Sequence, residues 1–412
     1  MRRSDVARRA MHLLASRIKA DCLTLRDDTG VNRFGDRDCT ANEIEIVVHD
    51  PSAYEQILRG GSSALGRQYA LGAWDTNDLT ECLRLLLRAT RPILAWHDKL
   101  ARRPTVLMRQ SHKVPRPDAA RDRDNIRAHY DLSNEFFEVM LDPTMAYSCG
   151  IFANDNTTLE AASIAKFERV CNTLNLSEHH HIIEIGTGWA GFAIYAARHR
   201  GCRVTTTTIS QQQFEYAEKR VADEGLADRI TVAREHYRDL HGVYDALVSI
   251  EMIEAVPWPE LDDFFATVRH LLAPGAPAII QAITMNDASY ERSKRHNDYI
   301  KQCIFPGSNL PSLAAMQESA HASDLHLDDL HDIGAHYPPT LRAWGENVRA
   351  RRNEIAVVAP HLDHDEFRRQ WDFYLAYCEA AFLERHISVV QTTWTTRGTA
   401  SAGLRSNGGY PQ

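Results

Sequence analysis

Ile182-Ile183-Glu184-Ile185-Gly186-Thr187-Gly188 is an apolar run that closes on two glycines, and residues 189–199 behind it carry helical spacing. The pattern predicts a buried strand at 181–185, a tight turn and a helix. In an open α/β sheet the ligand lies beyond the carboxyl ends of the strands, where such a turn sits. Gly186 and Gly188 let the backbone approach that ligand closely. With Gly191 the string formally reads G-x-G-x-x-G, a motif that also fits nicotinamide or flavin binding. A dinucleotide site usually places an acid about 20 residues on to hold the ribose. Here the next strand ends Thr206-Thr207-Thr208-Ile209-Ser210, without one.

Outward from this loop, strands and helices alternate. Residues 203–209, 229–233, 246–250 and 278–283 read as strands, with helices at 211–224 and 259–272, and 387–396 as a late strand. Such alternation predicts a parallel sheet with helices on both faces. The combination of Glu184, Gly186, Gly188 and Trp189 with Thr208, Ser210 and Gln213 resembles class I methyltransferases that bind S-adenosylmethionine. That resemblance implies a Rossmann-like, seven-stranded methyltransferase sheet.

The 412 residues divide unevenly in charge. Residues 1–118 carry 20 Lys+Arg against 15 Asp+Glu, while the whole chain has a net charge of −8. A basic first segment on an acidic body suits an anionic surface, and a solvated charged face fits equally. An apolar fraction of 44% with 25% charged residues excludes a collagen, a coiled coil and a mostly disordered chain. No apolar run reaches the roughly 18 residues of a spanning helix. Residues 1–101 read as a small α+β unit: a basic amphipathic helix at 2–19, strands at 22–26 and 43–49, and a helix at 78–87. Glycines within 60–73 suggest tight turns there. Residues 102–124, with three prolines and many arginines, read as a basic linker, either a solvated tether or a segment lying on anionic headgroups. A catalytic domain at 125–400 follows. No export signal is legible at the start, so a reducing cytoplasm and eight free thiols are expected. The cysteines have no metal-ligand spacing, and His179, His180 and His181 alternate faces on a strand, so no metal is expected.

Separated motifs then make a more specific resemblance. His129-Tyr130-Asp131-Leu132-Ser133-Asn134, Met145-Ala146-Tyr147-Ser148-Cys149, Glu251-Met252-Ile253-Glu254-Ala255-Val256 and Ile304-Phe305-Pro306-Gly307 occur in this order. Together they resemble the cyclopropane-fatty-acid synthase family over residues 125–395, with a weaker match at 65–74. The resemblance implies transfer of a methylene unit from S-adenosylmethionine to cis double bonds of unsaturated phospholipid acyl chains. It places Tyr147 and Ser148 over the sulfonium end, Gly186 and Gly188 in the glycine loop, Thr208 and Gln213 near the ribose, and Tyr237 beside the adenine. It implies a bound bicarbonate that removes a proton before ring closure, held by Cys149, Tyr337 and Cys378 and oriented by Glu254. A small buried anion needs such donors because its desolvation is costly.

Two departures stand out. Gln281 occupies a position where many family members have His; its amide can donate but cannot titrate. Glu251 replaces a glycine of the short-branch enzymes. The combination resembles a branch holding plant cyclopropane synthases and bacterial enzymes that make 10-methylene or 10-methyl fatty acids. The expected partners are unsaturated phospholipids at the membrane surface, with peripheral contact on the inner face of the cell membrane, no nucleic acid, and a homodimer left open. Residues 286–330 are long enough to form part of a lid over an acyl tunnel, lined by Tyr290, Tyr299, Ile300, Ile304, Phe305 and Leu310; a surface insertion with its own core is the alternative.

Overall fold

The computed structural model describes residues 3–18, 21–35, 43–101, 132–362 and 364–396. The expected linker at 102–124 and the motif residues His129, Tyr130 and Asp131 lie outside the described residues. The first sheet contains β1 (Cys22–Asp27), β2 (Gly30–Gly35), β3 (Ile44–Val48) and β4 (Trp74–Thr76) in the order β2-β1-β3-β4. On β3, Ile44, Ile46 and Val48 are buried and alternate with half-buried neighbours. This is the period-2 pattern that made the strand legible. β2 has no buried residue and β4 has three residues, so neither carries that pattern.

Of the stretch 60–73, where turns are expected, residues 60–70 are helix, and the turn falls at Leu71 and Gly72. Ser52–Ala70 is helical throughout, interrupted only by a kink at Gly61 (φ 56°, ψ −139°). Gly66 serves close packing: a Cβ there would fall on the Tyr299 ring and lie 2.7 Å from Phe373 Cε1. The helix expected at 78–87 runs on as Leu79–Ala101. The expectation of free thiols holds for Cys82, Cys149, Cys171, Cys202, Cys303 and Cys378. It fails at Cys22, which is disulfide-bonded.

The second sheet has seven strands: β5 (His181–Ile185), β6 (Arg203–Thr207), β7 (Ile230–Ala233), β8 (Ala246–Ile250), β9 (Pro277–Met285), β10 (Leu325–Asp332) and β11 (Ile387–Thr396). Their order is β10-β11-β9-β8-β5-β6-β7. Neighbours among β5–β9 pair in parallel, and β11 is antiparallel to both β9 and β10. β10 escaped the sequence reading because it is an edge strand whose acidic and histidine side chains face solvent; charged edges discourage pairing with other chains. Phe264, Phe265, Val268, Leu271 and Trp394 form one apolar layer, and Phe167, Val170, Phe192, Ala193 and Val204 another.

The small unit docks on the helix Asp365–Leu383. Arg369 donates to Tyr69 O (2.6 Å) and to Asp75 Oδ1 (2.7 Å). Thr80 donates to Glu379 (2.9 Å), and Arg84 and Arg88 both reach Glu384 at 2.8 Å. Residues 286–330 supply the helix Asp287–Ser293, a π-helical turn Ile300–Ile304 and the helix Leu313–Ala322. Tyr299 from this segment packs on Phe373 with ring centroids 4.7 Å apart. Among the described residues no helix is long and apolar enough to cross a membrane.

Candidate active site

β5 ends in the glycine loop. Gly186 and Thr187 donate their backbone N–H groups to Thr207 O on β6, at 3.1 and 2.9 Å. Gly186 has φ +100°, a conformation an L side chain rarely adopts, and a Cβ there would lie 3.0 Å from Met252. Gly188 has φ +50°, with open space where a Cβ would be. Thr187 Oγ1 is buried without a hydrogen-bond partner. At the end of β6, Thr208 Oγ1 donates to Gln213 Oε1 (2.8 Å), and Ser210 caps the helix Gln211–Asp223. A loop with room, an unsatisfied hydroxyl and an ordered Thr–Gln pair fits a polar cofactor at the strand ends. Tyr237 follows β7 in a 3-10 turn, and its ring packs edge-on against Phe264 in the apolar layer (5.6 Å).

Tyr147 stands in an aromatic wall. Its hydroxyl shares a 2.9 Å hydrogen bond with Tyr374, and its ring lies 5.0 Å from Trp344 and 5.3 Å from Phe137. Phe305, from the expected lid, contacts both Tyr147 and Tyr374. Ser148 is buried and accepts a 2.5 Å hydrogen bond from Lys166 Nζ.

The expected anion donors converge on a side chain of the protein itself. The Glu251 carboxylate accepts from Cys149 N–H (3.0 Å) and Gln281 Nε2 (2.7 Å) through Oε1, and from the Tyr337 hydroxyl (2.8 Å) through Oε2. Gln281 is held in turn: its Oε1 accepts from Gln391 Nε2 (2.9 Å), whose Oε1 accepts from Arg169 Nε (2.9 Å). Tyr337 stacks flat on Phe382 at 4.2 Å. Glu251 has φ +50°, left-handed for a side chain of that size; such a residue persists only where its surroundings over-determine it.

Glu254 sits apart in the 3-10 turn Ile253–Ala255. Its Oε1 accepts from Ile283 N–H (2.5 Å), and its Oε2 is buried without a partner. Burial, then the Glu251 charge beside it, pushes its pKa up to about 8. Burial also raises Glu251, but three donors and the Lys166 cation oppose that rise. Lys166 is fully buried; its pKa is lowered by desolvation and supported by Glu251 and Asp142. Glu184, buried and bonded to Thr206, is likewise pushed to about 8 by burial. Near pH 7 the Glu254 and Glu184 carboxyls thus hold their protons, while the charged forms of Lys166 and Glu251 support one another. Burial also keeps the Cys149 thiol and the Tyr337 phenol protonated.

Cys149, Gln281 and Tyr337 are therefore brought together, and Glu254 lies against the same carboxylate. Cys378 is not brought in. It lies on the helix Asp365–Leu383 one turn after Tyr374, half-buried among apolar side chains, and among the described residues it makes no hydrogen bond to the cradle. The cradle also does not fit a separate bicarbonate. Its three donors are occupied, and the carboxylate they hold would repel a second anion. Two residues of the site went unassigned in the sequence. Glu251 was legible only as a departure from a glycine, and Lys166 carried no signal in the sequence. His364 caps the helix Asp365–Leu383 by accepting from Phe367 N–H. His181 hydrogen-bonds Thr205, and the described residues contain no cluster that could hold a metal.

Comparison with known proteins agrees with this fold. Residues 118–392 match the mycolic acid cyclopropane synthetase family. The chain is 36% identical over 365 residues to the tuberculostearic acid methyltransferase UfaA1 of Mycobacterium tuberculosis, covering 86% of this chain and 83% of that one. It is 33% identical over 364 residues to the cyclopropane-fatty-acyl-phospholipid synthase of Escherichia coli, covering 88% and 90%. The cyclopropane synthase MmaA2 of M. tuberculosis superposes with a TM-score of 0.61 at 26% identity, over 66% of this chain and 98% of that one. The mycolic acid cyclopropane synthase CmaA1, solved with SAH and CTAB, gives 0.60 at 27% identity with the same coverage. The seven-stranded sheet is thus that of a methyltransferase, and the chain belongs to the mycolic acid cyclopropane synthetase family.

Proposed function

We propose that this enzyme transfers a methyl carbon from S-adenosylmethionine to the cis double bond of unsaturated phospholipid acyl chains and closes it to a cyclopropane. The observation that carries the reading is a buried carboxylate, held by three donors, at the strand ends beside the glycine loop and under an aromatic wall. Gly186, Gly188, Thr208 and Gln213 would hold the cofactor, with Tyr147 and Ser148 over its reactive end and Tyr237 behind the purine. S-adenosylmethionine, when bound, supplies the electrophilic methyl group. Tyr147, Trp344, Tyr374 and Phe305 shield the positive charge that the alkene acquires on attack, since aromatic faces attract cations. They also keep out water that would quench it. Residues 286–330 then act as part of a lid over the acyl chain.

A second reading, methyl transfer to the same alkene with a methylene- or methyl-branched product, is favoured by one observation. The Glu251 carboxylate stands where the donors converge, and the position of a base there would decide whether the new methyl group or the chain loses the proton. Peripheral association with the cytoplasmic face of the membrane completes the proposal. It is supported by exposed Leu58 and Leu71 beside Arg59 and Arg67 on and next to the helix Ser52–Ala70. The test is to incubate the full chain with methyl-labelled S-adenosylmethionine and vesicles of cis-monounsaturated phospholipid, then analyse the acyl chains. Label in chains heavier by one CH2 supports the reading; label confined to small soluble acceptors refutes it.

A further inference from the structure

We infer that the Glu251 carboxylate is the enzyme's own proton acceptor, occupying the place of a diffusible anion. The inference rests on the alkene-methylation reading above and names the base within it. Four observations carry it. First, Cys149 N–H, Gln281 Nε2 and Tyr337 O–H all converge on Glu251, at 3.0, 2.7 and 2.8 Å. Three donors around one carboxylate leave no vacancy for a second anion.

Second, the Gln281 amide has a fixed sense. Arg169 can only donate, so Gln391 must turn its oxygen to Arg169 and its NH2 to Gln281. Gln281 must then turn its own NH2 to Glu251. The relay presents a donor at every pH, and it requires an acceptor at its end. Third, Glu251 holds φ +50°, which costs roughly 1–2 kcal/mol for a side chain with a Cβ. A glycine would avoid that strain, so the carboxylate is retained against a local penalty. Fourth, Lys166 is fully buried with its Nζ on Ser148, and its positive charge favours the ionised form of Glu251. A buried anion without such support would be neutralised.

The alkene π pair forms a bond to the methyl carbon, the carbon–sulfur bond breaks, and its electron pair leaves with the thioether. The neighbouring chain carbon is left cationic. A Glu251 oxygen takes a proton from the new methyl group, and the released C–H pair forms the third ring bond to the cation. Taken from the chain carbon, the same proton loss gives an alkene. Glu251 is then a neutral acid and loses its proton to water after product leaves.

The experiment uses the full-length chain, S-adenosylmethionine and cis-monounsaturated phospholipid vesicles in CO2-free buffer, with and without millimolar bicarbonate. Wild type should turn over equally in both. Glu251→Gly removes the base and relieves the backbone strain. In CO2-free buffer it should fall by about 10²-fold or more, the usual worth of a positioned base, and recover at least about tenfold with bicarbonate. Glu251→Gln keeps the shape and should stay slow in both buffers. Bicarbonate stimulation of wild type, or an undiminished Glu251→Gly variant, would overturn the inference. A second readout needs no turnover. The 13C resonance of labelled bicarbonate should broaden saturably with Glu251→Gly and not with wild type; broadening by wild type overturns the inference. If wild type methylates no lipid, the functional reading fails while this measurement still decides what the cradle holds.

Discussion

Glu254→Gln tests the charge state of the acid pair. Burial and the neighbouring Glu251 raise the Glu254 pKa from the ordinary 4.5 to about 8. Between those values the folded state holds a proton that the unfolded chain releases. Stability is therefore lost as pH rises from about 4.5 to 8. At 1.36 kcal/mol per pKa unit, carrying this proton costs about 3 kcal/mol at pH 7. Gln is neutral at every pH and keeps the acceptor for Ile283 N–H, so the variant avoids that cost. For a chain of this length the unfolding entropy is about 0.9 kcal/mol per degree, so the variant should melt about 4 °C higher at pH 7. The gap should widen by roughly 1.5 °C per pH unit from pH 5 to 8. Thermal melting of both proteins across that range is the assay. Curves that stay parallel would show that Glu254 is ionised in the fold, and would remove the argument that Glu251 alone carries the negative charge. The same variant should turn over much more slowly with unchanged cofactor affinity; equal turnover would take Glu254 out of the mechanism.

Gly186→Val should abolish S-adenosylmethionine binding in calorimetry. It should also lower the melting temperature, because φ +100° and Met252 at 3.0 Å leave no relaxed place for the branch; wild-type affinity would remove the loop from the site. Gly66→Val should loosen the small sheet unit from Tyr299 and Phe373, read as faster proteolysis within residues 43–101, and an unchanged digestion pattern would contradict the packing. Activity on vesicles should rise with anionic lipid and fall with salt, since each basic group near such a surface gains about 1 kcal/mol within a Debye length. Equal rates on neutral and anionic vesicles at low and high salt would dismiss the membrane contact.

The fold was legible where burial imposes a period. β5, β8 and β11 read cleanly because Ile182, Ile183, Leu247, Val248, Val389 and Val390 have no solvent face. β10 did not, because its acids and histidines face water at the sheet edge. The helix Ser52–Ala70 was hidden by glycines that read as turns, when Gly66 is there to admit an aromatic ring. The site was legible as a set of residue types in order: Cys149, Glu254, Gln281 and Tyr337 could be named from the resemblance. Their true focus could not, because no local pattern shows donors 102, 30 and 86 residues away meeting one carboxylate. Glu251 announces itself only through its backbone, a non-glycine residue at φ +50°. Lys166 is revealed only by burial, since on sequence it is one more polar position of a helix.

The central claim is methyl transfer to a lipid alkene. It is tested most directly by proton NMR of phospholipid extracted after incubation with the enzyme and methyl-labelled S-adenosylmethionine. The account predicts labelled carbon at the former double bond in chains heavier by one CH2, with cyclopropane hydrogens upfield of every other chain signal. An exocyclic methylene signal without that upfield pair would replace the ring by the branched product, and an acyl chain without label would contradict the account.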